Sequence, residues 1–123
     1  MENQISDINI LEKVNFKELK ELNLYDNNIS DIKVLEKVKF DKLEILNLGQ
    51  NKISDNINIL EKVNFKELKK LDLDNNKISD IEVLEKVKFD KLEELYLSRN
   101  KIDLTKNNSI ILKLKSLLKN LII

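Results

Sequence analysis

Nine residues, Leu19 to Asn27 (LKELNLYDN), return with the same landmarks as Leu43 to Asn51 (LEILNLGQN), Leu68 to Asn76 (LKKLDLDNN) and Leu92 to Asn100 (LEELYLSRN). The four stretches start 24, 25 and 24 residues apart. A fixed period of this length means that one supersecondary unit is stacked on copies of itself, because so short a unit cannot bury its apolar face alone. Around the central leucines the residues alternate, as in Glu21 to Tyr25, which predicts a short strand with Leu22 and Leu24 facing inward. Stacked strands of this kind form a parallel sheet.

Between strands, Ile29 to Phe40 (ISDIKVLEKVKF) places Ile32, Leu35 and Val38 at a spacing of three behind Ser30 and Asp31, two favourable N-cap types. The pattern predicts a short helix, α or mixed with 3₁₀, with Glu36 and Lys37 as solvated charges on its outer face. Phe16, Phe40, Phe65 and Phe89 share one register and are expected to fill the bend before each strand as a packed column. Asn56 is an insertion, predicted to bulge the start of the third helix and leave the leucine register intact.

The ends depart from the repeat. Met1 to Gln4 align with Tyr25 to Asn28, so residues 1–18 read as a partial N-terminal repeat that caps the strand at Leu22. Residues 19–102 are four full units, and residues 103–123 a C-terminal cap helix. That helix is expected to be capped by Asn108 or Ser109 and to align Ile110, Leu114, Leu117, Leu118 and Leu121 on one face, with Lys113, Lys115 and Lys119 largely away from it. Leu121, Ile122 and Ile123 are apolar for a chain end and make the ends a candidate surface for self-association.

The motif LxxLxLxxN, followed by ISDIxVLEKVxF, resembles the leucine-rich repeat family from about Asn3 to Ile102. The resemblance implies an α/β solenoid, a horseshoe segment with a parallel β-sheet on the concave face, short helices on the convex face and a C-terminal capping helix. It implies that Asn27, Asn51, Asn76 and Asn100 point inward and bond backbone groups of neighbouring turns. It also implies that the third, fifth and seventh positions of the motif face the concave side and that the eighth and tenth line its edge.

A longer period is present too, since VNFKEL at Val14 and Val63 alternates with VKFDKL at Val38 and Val87. Residues 8–53 therefore align with residues 57–102, 46 positions without a gap, and differ at ten. The differences are Glu21/Lys70, Asn23/Asp72, Tyr25/Asp74, Asp26/Asn75, Asn28/Lys77, Lys33/Glu82, Ile45/Glu94, Asn47/Tyr96, Gly49/Ser98 and Gln50/Arg99. Nine of the ten fall on the ten concave or edge positions that the resemblance marks, Lys52/Lys101 being the unchanged pair. Drift after duplication would also have changed the many lysines and glutamates of the convex half, so the pattern marks a scaffold held constant under a varied recognition surface. An engineered array with varied concave positions leaves the same trace and points to the same face.

The candidate partner-binding residues are accordingly Glu21, Asn23, Tyr25, Ile45, Asn47, Gly49, Lys70, Asp72, Asp74, Glu94, Tyr96, Ser98 and Arg99. Tyr25, Ile45 and Tyr96 are the apolar anchors, Arg99 stands at the rim, and Gly49 is expected to admit a partner's chain close to the sheet. A protein or peptide ligand is the reading, with a structural or self-associating repeat segment as its rival. Twenty-two basic residues balance 22 acidic ones, and Arg99 is the sole arginine, so no field or bidentate donor set favours nucleic acid. There is no Cys and no His. Disulfides and thiolate metal sites are excluded, and a general acid or base would have to be a carboxylate, Lys or Tyr on an open sheet, so neither an enzyme nor a cofactor is expected. Asp72, Asp74 and Glu94 do not make a Ca²⁺ site, because same-face residues on a strand lie about 7 Å apart and Lys70 competes. MENQISDINI lacks a basic segment followed by an apolar run, no apolar run is long enough to span a membrane, and with no cysteine caps a cytoplasmic location is expected over a secreted one.

Overall fold

The computed structural model describes residues 3–87 and 89–123. Met1 and Glu2, which align with Tyr25 and Asp26, lie outside the described residues. Every x-L-x centre becomes a three-residue strand: β1 Glu21–Asn23, β2 Ile45–Asn47, β3 Lys70–Asp72 and β4 Glu94–Tyr96. A fifth, β5 at Asn120–Ile122, joins them in one parallel sheet of order β1-β2-β3-β4-β5. The register stacks like on like, Leu22, Leu46, Leu71, Leu95 and Leu121 lying side by side. Leu46, Leu71 and Leu95 are buried, together with Leu48, Leu73 and Leu97 two residues on.

The convex segments are 3₁₀ turns at Asn9–Glu12, Lys33–Glu36, Asp55–Glu61 and Glu82–Glu85. Asp31 is not an N-cap as expected. Ile32 holds the cap position, and Asp31 Oδ1 instead accepts the Lys33 N–H at 2.9 Å, a tight side-chain turn that suits a segment only four residues long. Asp7 and Asp80 do the same for Asn9 and Glu82. The insertion at Asn56 lengthens the third segment to seven residues and leaves the strand register intact, as expected. Asn56 Nδ2 donates to Ser30 O at 2.6 Å, and Asp55 Oδ1 accepts both the Ser79 and the Asp80 N–H, so the bulge bonds to both neighbouring units.

Ile32, Leu35 and Val38 are buried with Phe40 and Phe65, while Phe89 is partly covered. Phe16 breaks the expected column. Its ring stacks on Phe40 at 6.4 Å between centroids, but the residue is 49% exposed because among the described residues no further unit packs on its other face. The described residues of the partial repeat add no strand beside β1. They bond along the turn, with Ile5 N–H to Asn27 Oδ1 and Asn28 N–H to Ile5 O, and among the described residues the outer edge of β1 is open. Nor is Lys37 without a partner, since Glu12 lies 3.9 Å away, a half-exposed pair worth at most about 1 kcal/mol.

The alternation of two repeat types has a physical counterpart. Lys20, Glu44, Lys69, Glu93 and Lys119 stand in one column, where Lys69 pairs with Glu44 at 3.7 Å and Lys119 with Glu93 at 3.3 Å. Glu18, Lys42, Glu67 and Lys91 form a second, with pairs of 2.7 Å at Glu18–Lys42 and Glu67–Lys91. Hydrogen bonding from Lys91 holds the Glu67 carboxyl below its ordinary pKa.

The C-terminal cap is shorter than expected. Helix α1 spans Asn108–Leu117 with Asn107, and not Asn108 or Ser109, at the cap position, with Ile111 and Leu114 buried and Leu117 68% exposed. The chain is extended from Leu118 (φ −106°, ψ 146°), so Leu121 lies on β5 and not on the helix face. Leu118, Leu121 and Ile123 repeat the LxxLxL spacing with Ile last, and they turn inward like Leu92, Leu95 and Leu97. Asp103 Oδ1 accepts the Thr105 and Lys106 N–H groups in the turn before the helix, and the buried Asn107 amide donates to Asp103 O at 2.9 Å.

Candidate concave binding face

Under this face runs a polar ladder. The Oδ1 atoms of Asn27, Asn51, Asn76 and Asn100 accept the N–H groups of Ile5, Ile29, Ile53 and Ile78, each in the preceding unit, at 2.9 to 3.1 Å. The Nδ2 groups of Asn51, Asn76 and Asn100 donate back to Leu24 O, Leu48 O and Leu73 O of the preceding strand at 2.9 to 3.0 Å. These amides, buried at Asn27, Asn51 and Asn76 and half-buried at Asn100, thus satisfy the turn that leaves each strand, as the resemblance implies.

The sheet register brings the candidate residues together in columns, with neighbours in a column on strands about 4.8 Å apart. The third positions are Glu21, Ile45, Lys70, Glu94 and Asn120, and the fifth are Asn23, Asn47, Asp72, Tyr96 and Ile122. Asn120 and the exposed Ile122 are additions that helical periodicity concealed. The signal for them was present in Leu118-x-x-Leu121-x-Ile123.

Each seventh-position N–H must find an acceptor. Asn23 Oδ1 takes the Tyr25 N–H at 3.0 Å, Asn47 Oδ1 the Gly49 N–H at 2.9 Å, and Asp72 Oδ1 the Asp74 N–H at 3.0 Å. Tyr96 has no such acceptor. The Ser98 N–H turns instead to Asp74 Oδ1 on the adjacent strand's extension, 2.7 Å away, joined there by Ser98 Oγ at 2.8 Å. Arg99 Nη2 stands 3.8 Å from Asp74 Oδ2.

Gly49 does not admit a partner. It is buried, and a Cβ built on it would meet Tyr25 Cδ2 at 3.1 Å and Asn47 and Asp72 Oδ1 at 3.2 Å. The glycine makes room for the Tyr25 ring, whose hydroxyl donates to Gln50 Oε1 at 3.0 Å; Gln50 Nε2 in turn donates to Asp26 Oδ1 at 2.7 Å. Tyr25 remains 43% exposed. Asp26, Gln50, Asn75 and Arg99, the eighth positions, all have positive φ, from 52° to 61°. Asp and Asn tolerate this well, whereas Gln50 and Arg99 hold it at a cost of about 1 kcal/mol each, which their side chains at the rim must offset.

On β3 and β4, Lys70 Nζ lies over the Tyr96 ring, 5.1 Å from its centroid. Tyr96 Oη donates to Glu94 Oε2 at 3.3 Å, and Asn120 Nδ2 to Glu94 Oε1 at 3.2 Å. Burial first, and then the negative charges of Glu94, Asp72 and Asp74, push the Tyr96 phenol above its ordinary pKa. Among the described residues no group of three or more acidic side chains is placed to hold a metal ion, and no helix is long and apolar enough to cross a membrane. A cleft of about 740 Å³ opens on the other side of the sheet, lined in part by Asp55, Asp80, Glu85 and Asp103. Asp55 is committed to the turn at Ser79 and Asp80, whose backbone N–H groups hold its carboxyl below the ordinary value.

A family model described as leucine-rich repeats in two copies matches residues 17–62, 41–86 and 66–112. No protein of curated function matches the sequence. Among solved structures, internalin C2 of Listeria monocytogenes is 30% identical with a TM-score of 0.69, over 95% of this chain and 45% of that one. A leucine-rich repeat protein of Leptospira interrogans is 28% identical with a TM-score of 0.71, over 97% and 29% of the two chains. The Listeria monocytogenes internalin inlF is 26% identical with a TM-score of 0.54, over 97% and 38%. The chain spans less than half the length of each of these proteins.

Proposed function

The chain belongs to the leucine-rich repeat family, and we propose that it is a non-enzymatic binding module that takes a protein or peptide ligand on its concave sheet face. The observation that carries this is the distribution of differences between the two copies: nine of ten lie on the concave face or its edge. The convex charges remain identical apart from Lys33/Glu82, although surface positions there are free to change. The same face exposes Tyr25 and Ile122 beside partly covered Ile45 and Tyr96, the anchor types that dominate protein interfaces. Catalysis has little to work with, because the face is open to water and no acid–base pair stands in an enclosed pocket. Nucleic acid is not favoured by a chain of zero net charge, and a cysteine-free sequence suits a reducing compartment such as the cytoplasm.

The test is affinity capture from the source organism's lysate with the wild type beside Tyr25→Ala, Ile45→Glu, Tyr96→Ala on folded, matched samples. A partner retained by the wild type and lost by the variant supports the reading. Equal retention by both, or by neither, contradicts it.

Self-association is the second reading, favoured by the open edges of β1 and β5 and by exposed Phe16 and Leu117. The charge columns oppose its simplest form, since head-to-tail stacking would set Lys119 of one copy beside Lys20 of the next, where neighbours inside the array have opposite sign. Mass by light scattering that rises with concentration, and falls back with Phe16→Ser and Leu117→Lys, would favour it.

A further inference from the structure

Asp72 meets a structural need that does not require its charge. Its Oδ1 accepts the N–H two residues on, as the neutral amides of Asn23 and Asn47 do at the equivalent positions, with distances of 3.0, 3.0 and 2.9 Å. An amide therefore serves the fold equally well, and the charge of Asp72 is surplus to it. It is also unfavourable, because Asp74 follows on the same face and Glu94 stands on the next strand, within the roughly 5–8 Å over which like charges on a sheet repel.

The glutamates of the two lysine–glutamate columns are neutralised. Glu18, Glu44, Glu67 and Glu93 each have a lysine of the next unit at 2.7 to 3.7 Å. Among the described residues no such ion pair within 4.0 Å involves Asp72 or Glu94. Lys70, the basic residue beside Glu94 in the register, holds its ammonium over the Tyr96 ring. The third, fifth and seventh positions of the first copy contain one charge, Glu21, whereas those of the second contain Asp72, Asp74 and Glu94 against Lys70. Apolar groups flank this acidic region, Ile45 and Tyr25 on one side and Ile122 on the other.

We propose that the ligand of this face is a protein segment carrying a basic side chain, taken between Asp72 and Glu94, next to aliphatic or aromatic side chains that lie on Ile45, Tyr25 and Ile122. The inference rests on the concave-face reading above and adds the chemistry of the partner. A partner's cation there relieves the repulsion among the carboxylates and gains charge-assisted hydrogen bonds.

The probe is a random peptide library displayed on phage, selected on the wild-type chain and counter-selected on Tyr25→Ala, Ile45→Glu, Tyr96→Ala. Enriched peptides are then synthesised and their affinities measured for wild type, Asp72→Asn, Glu94→Gln and the double variant, at low and high salt. Both substitutions keep the hydrogen-bonding partners, Asn accepting as at Asn23, and Gln accepting from Asn120 through Oε1 while its Nε2 donates to the Tyr96 hydroxyl oxygen, so the urea midpoint should not move. The expected result is peptides with Lys or Arg next to an apolar residue, about 10-fold weaker on the double variant and less sensitive to salt there. Acidic or uncharged peptides, or affinities within about two-fold on the double variant, overturn this inference and leave the concave face as the site. Peptides that bind the counter-selection variant equally well, or no enrichment at all, overturn both.

Discussion

In the first copy, residues 8–53, the fifth positions are Asn23 and Asn47, and the Tyr25 ring lies over Gly49. In the second, residues 57–102, the same places hold Asp72, Tyr96, Asp74 and Ser98. Yet the strands keep register, Asn23 with Asn47 and Asp72 with Tyr96. The difference is tolerated because the backbone's hydrogen-bonding needs are met below the face, by the buried asparagines, and on it by any short side-chain acceptor. Where Tyr96 removes that acceptor, Asp74 replaces it from the neighbouring strand. A concave residue can thus change its chemistry without disturbing the leucines behind it. The exposed convex charges are as free to change, yet there the copies are nearly identical.

The largest effect should separate positions that are equivalent in sequence but not in surroundings. Phe65, 2% exposed, and Phe16, 49% exposed, occupy the same register. Phe65→Ala should cost about 4 kcal/mol in urea denaturation and Phe16→Ala about 1 kcal/mol. Equal losses would mean that something covers Phe16 in solution. Next come Asn76→Ala and Asn27→Ala. Asn76 Nδ2 reaches Leu48 O, Leu73 O and Asp74 O, whereas among the described residues Asn27 Nδ2 reaches Leu24 O and Tyr25 O of its own unit. The expected losses are about 3 and about 2 kcal/mol by the same measurement, the gap being the missing bond between units.

Gly49→Ala sharpens the comparison on the face itself. It should cost about 1 kcal/mol with Tyr25 present and less in a Tyr25→Ala background, because the Cβ and the ring compete for one space while the contacts with Asn47 and Asp72 Oδ1 remain. Additive losses in that cycle would contradict the packing described. The smallest effect is a titration. Tyr96 is held above its ordinary value of 10.0, so the stability linked to it is fully present below that value and is lost as pH rises through the raised one. Absorbance of the ionised phenol should show one tyrosine titrating late in the wild type and earlier in Asp72→Asn, as one of the charges that raise it is removed.

Much of this was readable from the sequence: the strand centres follow from the repeat spacing, and the asparagine ladder and the concave columns from the resemblance to the family. β5 was hidden by a genuine helix signal. Leu114, Leu118 and Leu121 satisfy helical periodicity as well as strand spacing, and only the extended backbone at Leu118 decides between them. Gly49 suggested an open approach, but which ring fills the space above it is a matter of packing across strands. The left-handed backbone at Gln50 and Arg99 left no trace either, since neither residue type announces positive φ. The exposure of Phe16 depends on a neighbour, and the motif alone is silent about neighbours.

The most direct test of the central claim is to write the first copy's face onto the second. The variant carries Lys70→Glu, Asp72→Asn, Asp74→Tyr, Asn75→Asp, Lys77→Asn, Glu94→Ile, Tyr96→Asn, Ser98→Gly and Arg99→Gln, and its affinity for the ligand captured by the wild type is measured together with its urea midpoint. If the concave face is the working surface on an indifferent scaffold, stability changes by less than about 1 kcal/mol while binding falls by at least about 100-fold. Binding that survives the exchange in a folded protein would contradict the account.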